Sequence, residues 1–356
     1  MKTKILLLTF FLTSIVMTAT SITPQRACDA ARMFVKHNVA LRNNAKHITI
    51  QQVKPYAIDN ESNASVYAVN FNNNDGFVLV GSIDQSYNII GYCDHGTFDT
   101  EQMPPNMRAW LDSYIKNARQ VKNYEGSHSL LSTSHYPTKS AIAPMLKSKW
   151  NQDAPYNDQC PMFNDKHAPT GCTITAMAQI MYYHRCPTGA TSAIPAYTPD
   201  NSGGTNYPAL AALEPTTFDW DKIYPTYENN EDGSEVARLN KYLGTAAKTN
   251  YSENSSGATG YDALNAVIKY FGYDASGYAL WRKQLTYGEW IDTLYAELQA
   301  KRPVLFSGTS PDNAHSFIVD GYSEEDYFHV NWGWGGTSDG YYAQELWCDK
   351  LHDRRH

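Results

Sequence analysis

No Cys-x-x-Cys pair and no His-Glu-x-x-His run occurs in the 356 residues, so neither a structural zinc knuckle nor a zincin helix has the ligand spacing it requires. Metal ligation is therefore not expected. Runs of Lys or Arg are also missing, and a formal charge of −7 leaves no electrostatic footprint for nucleic acid or for an anionic membrane surface. Beyond Val16 no apolar stretch approaches the roughly 20 residues of a spanning helix. Six cysteines are few for this length and irregularly spaced, so the core need not depend on disulfides; a Cys160–Cys186 bridge is left open. No repeat of fixed period is present.

What the chain does contain is 42% hydrophobic and 18% charged residues, the balance of a folded globular protein. Its length exceeds the usual single core and predicts two domains. Lys2 and Lys4 precede an almost unbroken apolar run from Ile5 to Val16, followed by Ala19, Thr20 and Ser21. This is the pattern of a signal peptide over 1–21, which makes the rest of the chain an exported protein. Helical spacing is expected from Cys28 to Arg42. A hairpin is expected from Val66–Phe71 and Phe77–Val80 around the Asn72–Gly76 turn, and a second helix from Pro104 to Gln120. These elements define a small α+β unit over 22–140. Its last part, from Asn123, is Gly-, Ser-, His-, Thr- and Pro-rich and reads as an exposed linker that a protease can cut. The second unit, 141–356, is predicted to place helices at Val236–Lys248 and Tyr261–Phe271 before strands at Pro303–Ser307, Ser316–Tyr322 and Tyr327–Trp332.

Chemistry concentrates in that second unit. Cys172 follows Thr170-Gly171 and precedes Ile174, Met177, Ala178 and Met181 at helical spacing, with Thr170 the expected N-cap. A thiol in the first turn of a helix meets unpaired N–H groups and the positive end of the dipole, and both favour a thiolate. His315 begins a strand, the acidic turn Glu324-Glu325-Asp326 reverses the chain, and a hairpin is expected to bring Asn331 and Trp332 back beside it. His315 lies 143 residues after Cys172, within the roughly 130–150 residues that separate a papain-type cysteine from its histidine.

Three separated segments then match one family in order. Thr170-Gly171-Cys172 with Ala176-Met177-Ala178-Gln179-Ile180-Met181-Tyr182-Tyr183-His184 resembles the nucleophile helix of the streptopain family of papain-like cysteine peptidases. His315-Ser316-Phe317-Ile318-Val319-Asp320-Gly321 is similar to its histidine strand, and His329-Val330-Asn331-Trp332-Gly333-Trp334-Gly335-Gly336 to its Gly- and Trp-rich segment. The resemblance implies an α+β papain-like catalytic domain, a helical subdomain plus an antiparallel sheet or barrel, preceded by a small α+β inhibitory propeptide. It implies a secreted endopeptidase made as a zymogen, acting on protein and peptide substrates, restrained by its own propeptide, and using no cofactor. Carried across, Cys172 is the nucleophile and His315 its proton partner. Asn331 orients the imidazole, Trp332 covers that contact, and Gln152 is the oxyanion-hole amide. Ser256, Gly257, Ala258 and Ala314 are implied to line the substrate cleft. The family usually continues past Gly340-Tyr341-Tyr342 with sequence that completes its barrel, whereas here a short polar tail follows, so a shortened catalytic domain is expected. Two other readings of the same residues stand beside this one: a catalytically inactive binding or adhesin-like protein on the same fold, and a Cys-His amidase or transferase.

Overall fold

In the computed structural model the described residues are 23–38, 41, 49–58, 65–83, 86–122, 139–199, 209–228, 231–309 and 314–343. The expected signal peptide, the body of the expected linker and the polar tail lie outside them.

Thr23 caps the first helix, its hydroxyl accepting from the Arg26 N–H, and α1 runs over Pro24–His37. Four strands follow: β1 (Ile50–Tyr56), β2 (Val66–Phe71), β3 (Phe77–Ile83) and β4 (Ser86–Cys93), paired antiparallel in sequence order. The β2–β3 hairpin falls where the turn residues put it. Side chains of β2 and β3 are buried on both faces because α1 covers one side and α2 (Pro105–Lys122) the other. This completes the N-terminal unit.

The C-terminal unit opens with two short ribbon strands, β5 (Met162–Phe163) and β6 (Lys166–His167), and then α3 (Cys172–His184). After α3 come α4 (Ser234–Ala246), the short pair β7 (Asn250–Tyr251) and β8 (Ser256–Gly257), α5 (Gly260–Tyr270) and α6 (Tyr287–Gln299). Thr259 and Thr286 begin α5 and α6 with capping boxes closed by Asp262 and Glu289, an arrangement that satisfies orphan N–H groups at both helix starts. Strands β9 (Val304–Thr309), β10 (Ala314–Tyr322), β11 (Phe328–Asn331) and β12 (Gly340–Tyr342) end the described chain.

These strands do not close a barrel of their own. Strand β12 pairs with β4, so one antiparallel sheet of eight strands crosses both units in the order β1-β2-β3-β4-β12-β11-β10-β9. Beneath the seam, Trp110 of α2 packs its ring 5.1 Å from Tyr342 and 6.3 Å from Trp332. On the seam itself the buried Cys93 thiol donates to the Asp339 carbonyl at 2.9 Å, beside an Asp94–His95 pair at 2.8 Å. Burial pushes the Cys93 thiol up, against the thiolate.

Two expectations need correction, and one reading left open is decided. Gly171, not Thr170, is the N-cap of α3: Thr170 sits one residue too early, and its hydroxyl bonds Thr175 Oγ1 at 2.7 Å. The helix is also buried from Thr173 through Met181 rather than along one stripe, because it is wedged between the helical cluster and β10. Cys160 and Cys186 are both free thiols, and burial pushes Cys160 up to about 12.

Candidate active site

Cys172 is the first residue of α3, and the approach to it is set by backbone. Gly171 has φ +90°, and a Cβ there would lie 2.6 Å from the Ser256 carbonyl oxygen, so only glycine lets the β8 segment pass this close. The Thr173 hydroxyl donates to the Ala258 carbonyl at 2.7 Å. Ser256, Gly257 and Ala258 therefore run alongside the Cys172 end of the helix. On the other side the Thr170 N–H donates to the Gln152 carbonyl at 3.0 Å, which ties the half-buried Gln152 to the same loop. Residues far apart in sequence thus frame one sulfur.

From the sheet, the Ser316 N–H donates to Cys172 Sγ at 3.3 Å. This brings His315, one residue earlier on β10, to the thiol. The imidazole itself is not joined to it: among the described residues no hydrogen bond links His315 to Cys172 or to Asn331. Strand alternation explains the separation. Ser316 and Ile318 face α3, whereas Phe317 and Val319 belong to the cluster that includes Met107 and Trp110 of α2, and His315 shares their parity. Burial lowers the His315 pKa, which favours the neutral ring.

The hairpin that was expected to seat Asn331 opposite His315 forms with a different register. Asn331 pairs with Ile318, and a bulge between Val319 and Gly321 shifts the strands. The Asn331 amide is spent elsewhere: Nδ2 donates to the Ser148 carbonyl at 2.9 Å, and Oδ1 accepts from Gln179 Nε2 at 3.2 Å and from the Gly333 N–H at 3.0 Å. Trp332 packs its ring 5.0 Å from that of Phe317 at a tilt of 55°, and its indole N–H donates to the Ser338 carbonyl. Ala314 opens β10 beside His315, paired through the backbone with Thr309.

Two contributors were not singled out from sequence. Asn106, near the start of α2, donates from Nδ2 to the Trp332 carbonyl at 2.8 Å and to the Ser316 carbonyl at 3.3 Å, so the N-terminal unit grips both chain segments that carry the site. Following a Pro-Pro pair, it reads in sequence only as a helix-start residue. Gln179 is fully buried on α3 seven residues after Cys172. A lone amide inside an apolar helix was its available signal.

The geometry now meets its relatives. The profile of the peptidase C10 family matches residues 150–342, and that of the Spi protease inhibitor matches residues 19–118. The chain belongs to the peptidase C10 family. It is 27% identical to streptopain of Streptococcus pyogenes over 334 residues, which is 89% of this chain and 83% of streptopain. Over 332 residues it is 28% identical to the thiol protease/hemagglutinin PrtT of Porphyromonas gingivalis, covering 89% of this chain and 38% of that protein. Among solved structures, the prointerpain A fragment of Prevotella intermedia superposes with a TM-score of 0.69 at 25% identity, over 85% of this chain and 94% of that one. Active interpain A superposes at 0.52 and 29% identity, over 57% and 86%. The C10 peptidase described here is thus a cysteine peptidase made as a zymogen, and its N-terminal unit is an inhibitor-like prodomain.

Proposed function

We propose that hydrolysis in this C10 peptidase is carried by Cys172 and His315, with Gln152 and the Cys172 N–H as oxyanion donors, Asn331 orienting the imidazole and Trp332 shielding it. One observation carries this reading: the Cys172 sulfur sits at the N-terminus of α3 and accepts a backbone N–H at 3.3 Å from the residue next to His315. Both features place partial positive charge at the sulfur. In the working enzyme His315 takes the thiol proton, and the thiolate adds to the carbonyl carbon of the scissile peptide. The negative charge that develops on the carbonyl oxygen is held by the two N–H donors; losing one such donor costs about 2.7–4 kcal/mol of transition-state stabilisation. Collapse breaks the C–N bond as His315 passes its proton to the leaving amine, and a thioester remains. Water then attacks the thioester, giving its proton to His315, and the thiol is restored. Ser256, Gly257, Ala258 and Ala314 are assigned to the cleft that holds the substrate chain.

The zymogen is restrained at the histidine. Packing of α2 against the Phe317 face and the Asn106 bonds to the Ser316 and Trp332 carbonyls hold β10 in the register described, with the ring apart from the sulfur. Removal of the prodomain, assigned to 22–140, frees the ring to turn and Asn331 to exchange partners. The cut falls in the N-terminal part of the stretch from Tyr136 to Pro144. Lys139 is paired with Asp292 of α6, Ser140 accepts from Tyr295, and Ile142 exchanges two backbone bonds with Tyr322, all on the catalytic side. A protease needs unpaired chain, and these bonds argue against a cut well inside the catalytic side of that stretch. Export by the 1–21 signal and action outside the cell complete the reading.

Maturation provides the test. Wild-type precursor should shorten in a preparation free of other proteases, while Cys172→Ala should keep its precursor length. Equal processing of the two would rule out self-cleavage through this cysteine.

A further inference from the structure

Resting on that assignment of Cys172 and His315, we infer that Ser316 is a positioning residue, held by a directional chain of hydroxyls that sets the distance between the nucleophile helix and the histidine strand. Thr173 Oγ1 and Ser316 Oγ lie 2.8 Å apart, and Ser316 Oγ and Ser307 Oγ lie 2.8 Å apart. Each hydroxyl has one hydrogen to give, so the donors can be counted. Thr173 gives its hydrogen to the Ala258 carbonyl at 2.7 Å, and it therefore accepts from Ser316. Ser316 has then spent its own hydrogen and accepts from Ser307. The chain runs Ser307 to Ser316 to Thr173 to the Ala258 carbonyl, and its direction is fixed by that last acceptor.

Every link joins different elements. Ser307 is on β9, Ser316 on β10 and Thr173 on α3, and Ala258 follows β8 in the segment assigned to the substrate cleft. Thr173 is 3% exposed and Ser316 4%, so neither hydroxyl has bulk water to fall back on. Gly260 leaves the far end room, since a Cβ there would lie 2.8 Å from Ser307 Oγ. The same Ser316 residue donates its N–H to Cys172 Sγ. Because the 315–316 peptide is a rigid plane, fixing the Ser316 side chain fixes that N–H against the sulfur and the Cα from which the imidazole projects. A hydrophobic pair would fill the same space, but without direction or a set spacing.

The test compares matured wild-type enzyme with Ser316→Ala, Ser316→Thr and Thr173→Val, each normalised by active-site titration. Ser316→Ala is expected to lower kcat about 3- to 10-fold, the weight of one buried hydrogen bond, with KM changed less than about twofold. The acid limb of Cys172 alkylation against pH should move upward, because a misaligned N–H stabilises the thiolate less. Ser316→Thr keeps the hydroxyl and should restore both readouts, and Thr173→Val should copy Ser316→Ala. Where Ser316→Ala does not mature, Thr173→Val carries the same expectation. Wild-type kcat and pH profile in Ser316→Ala or Thr173→Val would overturn the inference, as would a loss that tracks melting temperature alone or is not recovered by threonine. Hydrolysis that survives Cys172→Ala would overturn the assignment of the site, and this inference with it.

Discussion

At the scale of the residue, the proposed site is a thiol and an imidazole at adjoining places with no hydrogen bond between them. The His315 pKa is lowered by burial. Its folded value lies below the unfolded one near 6.5, so its contribution to stability is complete above that value and is lost as pH falls through the folded pKa. In the Cys172→Ala precursor, the His315 ring signals in NMR should therefore titrate below 6.5. Ion pairing with the thiolate in the matured wild type should move the midpoint upward. An unchanged midpoint between the two would mean that maturation does not bring ring and sulfur together. That Cys172 and His315 lie at adjoining places was legible from sequence because each stands at an element boundary. Asn106 was not, since the carbonyls it grips, those of Ser316 and Trp332, are more than two hundred residues away and backbone acceptors leave no mark in a sequence.

Among the elements, α2 holds the most functional consequence, because its first turn clamps β10 and the chain leaving β11. Asn106→Ala removes both bonds and leaves two buried carbonyls without this donor, a loss of about 1–3 kcal/mol for an unsatisfied buried group. A precursor carrying Asn106→Ala should mature about tenfold faster than wild type on a gel time course; an unchanged half-time would show that the restraint lies elsewhere. Sequence periodicity located α1, α2, α4, α5 and the β2–β3 hairpin to within a few residues. It missed β1, where Lys54 and Pro55 interrupt the apolar pattern, and β4, whose Gly91 and Asn88 break alternation. Helix α6 could have been found: Thr286 and Glu289 form a capping box, and Trp290, Ile291, Leu294 and Leu298 fall at helical spacing. The β10–β11 register could not, because a bulge at Asp320 depends on what that side chain binds. Asp320 is fully buried, accepting from the Leu146 N–H at 2.8 Å and pairing with His329 at 2.6 Å.

Across the whole molecule, one sheet is shared by inhibitor and enzyme, and a sequence read unit by unit cannot foresee it. The strand β12 has only three residues, Gly340 to Tyr342, yet it is paired on both edges, by β11 and by β4. Asp339 stands at this junction. Burial raises its carboxyl to about 6, against the opposing bond from the Trp332 N–H, so the neutral form persists to higher pH than in an ordinary carboxyl. For an acid raised above its unfolded value, the stability is present below that value and is lost as pH rises through the folded pKa near 6. Asp339→Asn keeps an oxygen for the Trp332 N–H and cannot ionise. It should raise the melting temperature of the precursor by a few degrees at pH 8 and leave it nearly unchanged at pH 3, below the unfolded carboxyl value, about the effect of 1 kcal/mol or more. An equal change at both pH values would place its effect outside ionisation.

The central claim, that one activated sulfur does the chemistry, is tested most directly by peptide mapping of the matured protein after brief exposure to iodoacetamide at mildly acidic pH, alongside casein hydrolysis. The account predicts a single modified cysteine, Cys172, with hydrolysis lost in step with its labelling, while the buried Cys160 and the half-buried Cys186 stay untouched. Label spread evenly over the other thiols, or casein hydrolysis that persists once Cys172 is fully modified, would contradict it.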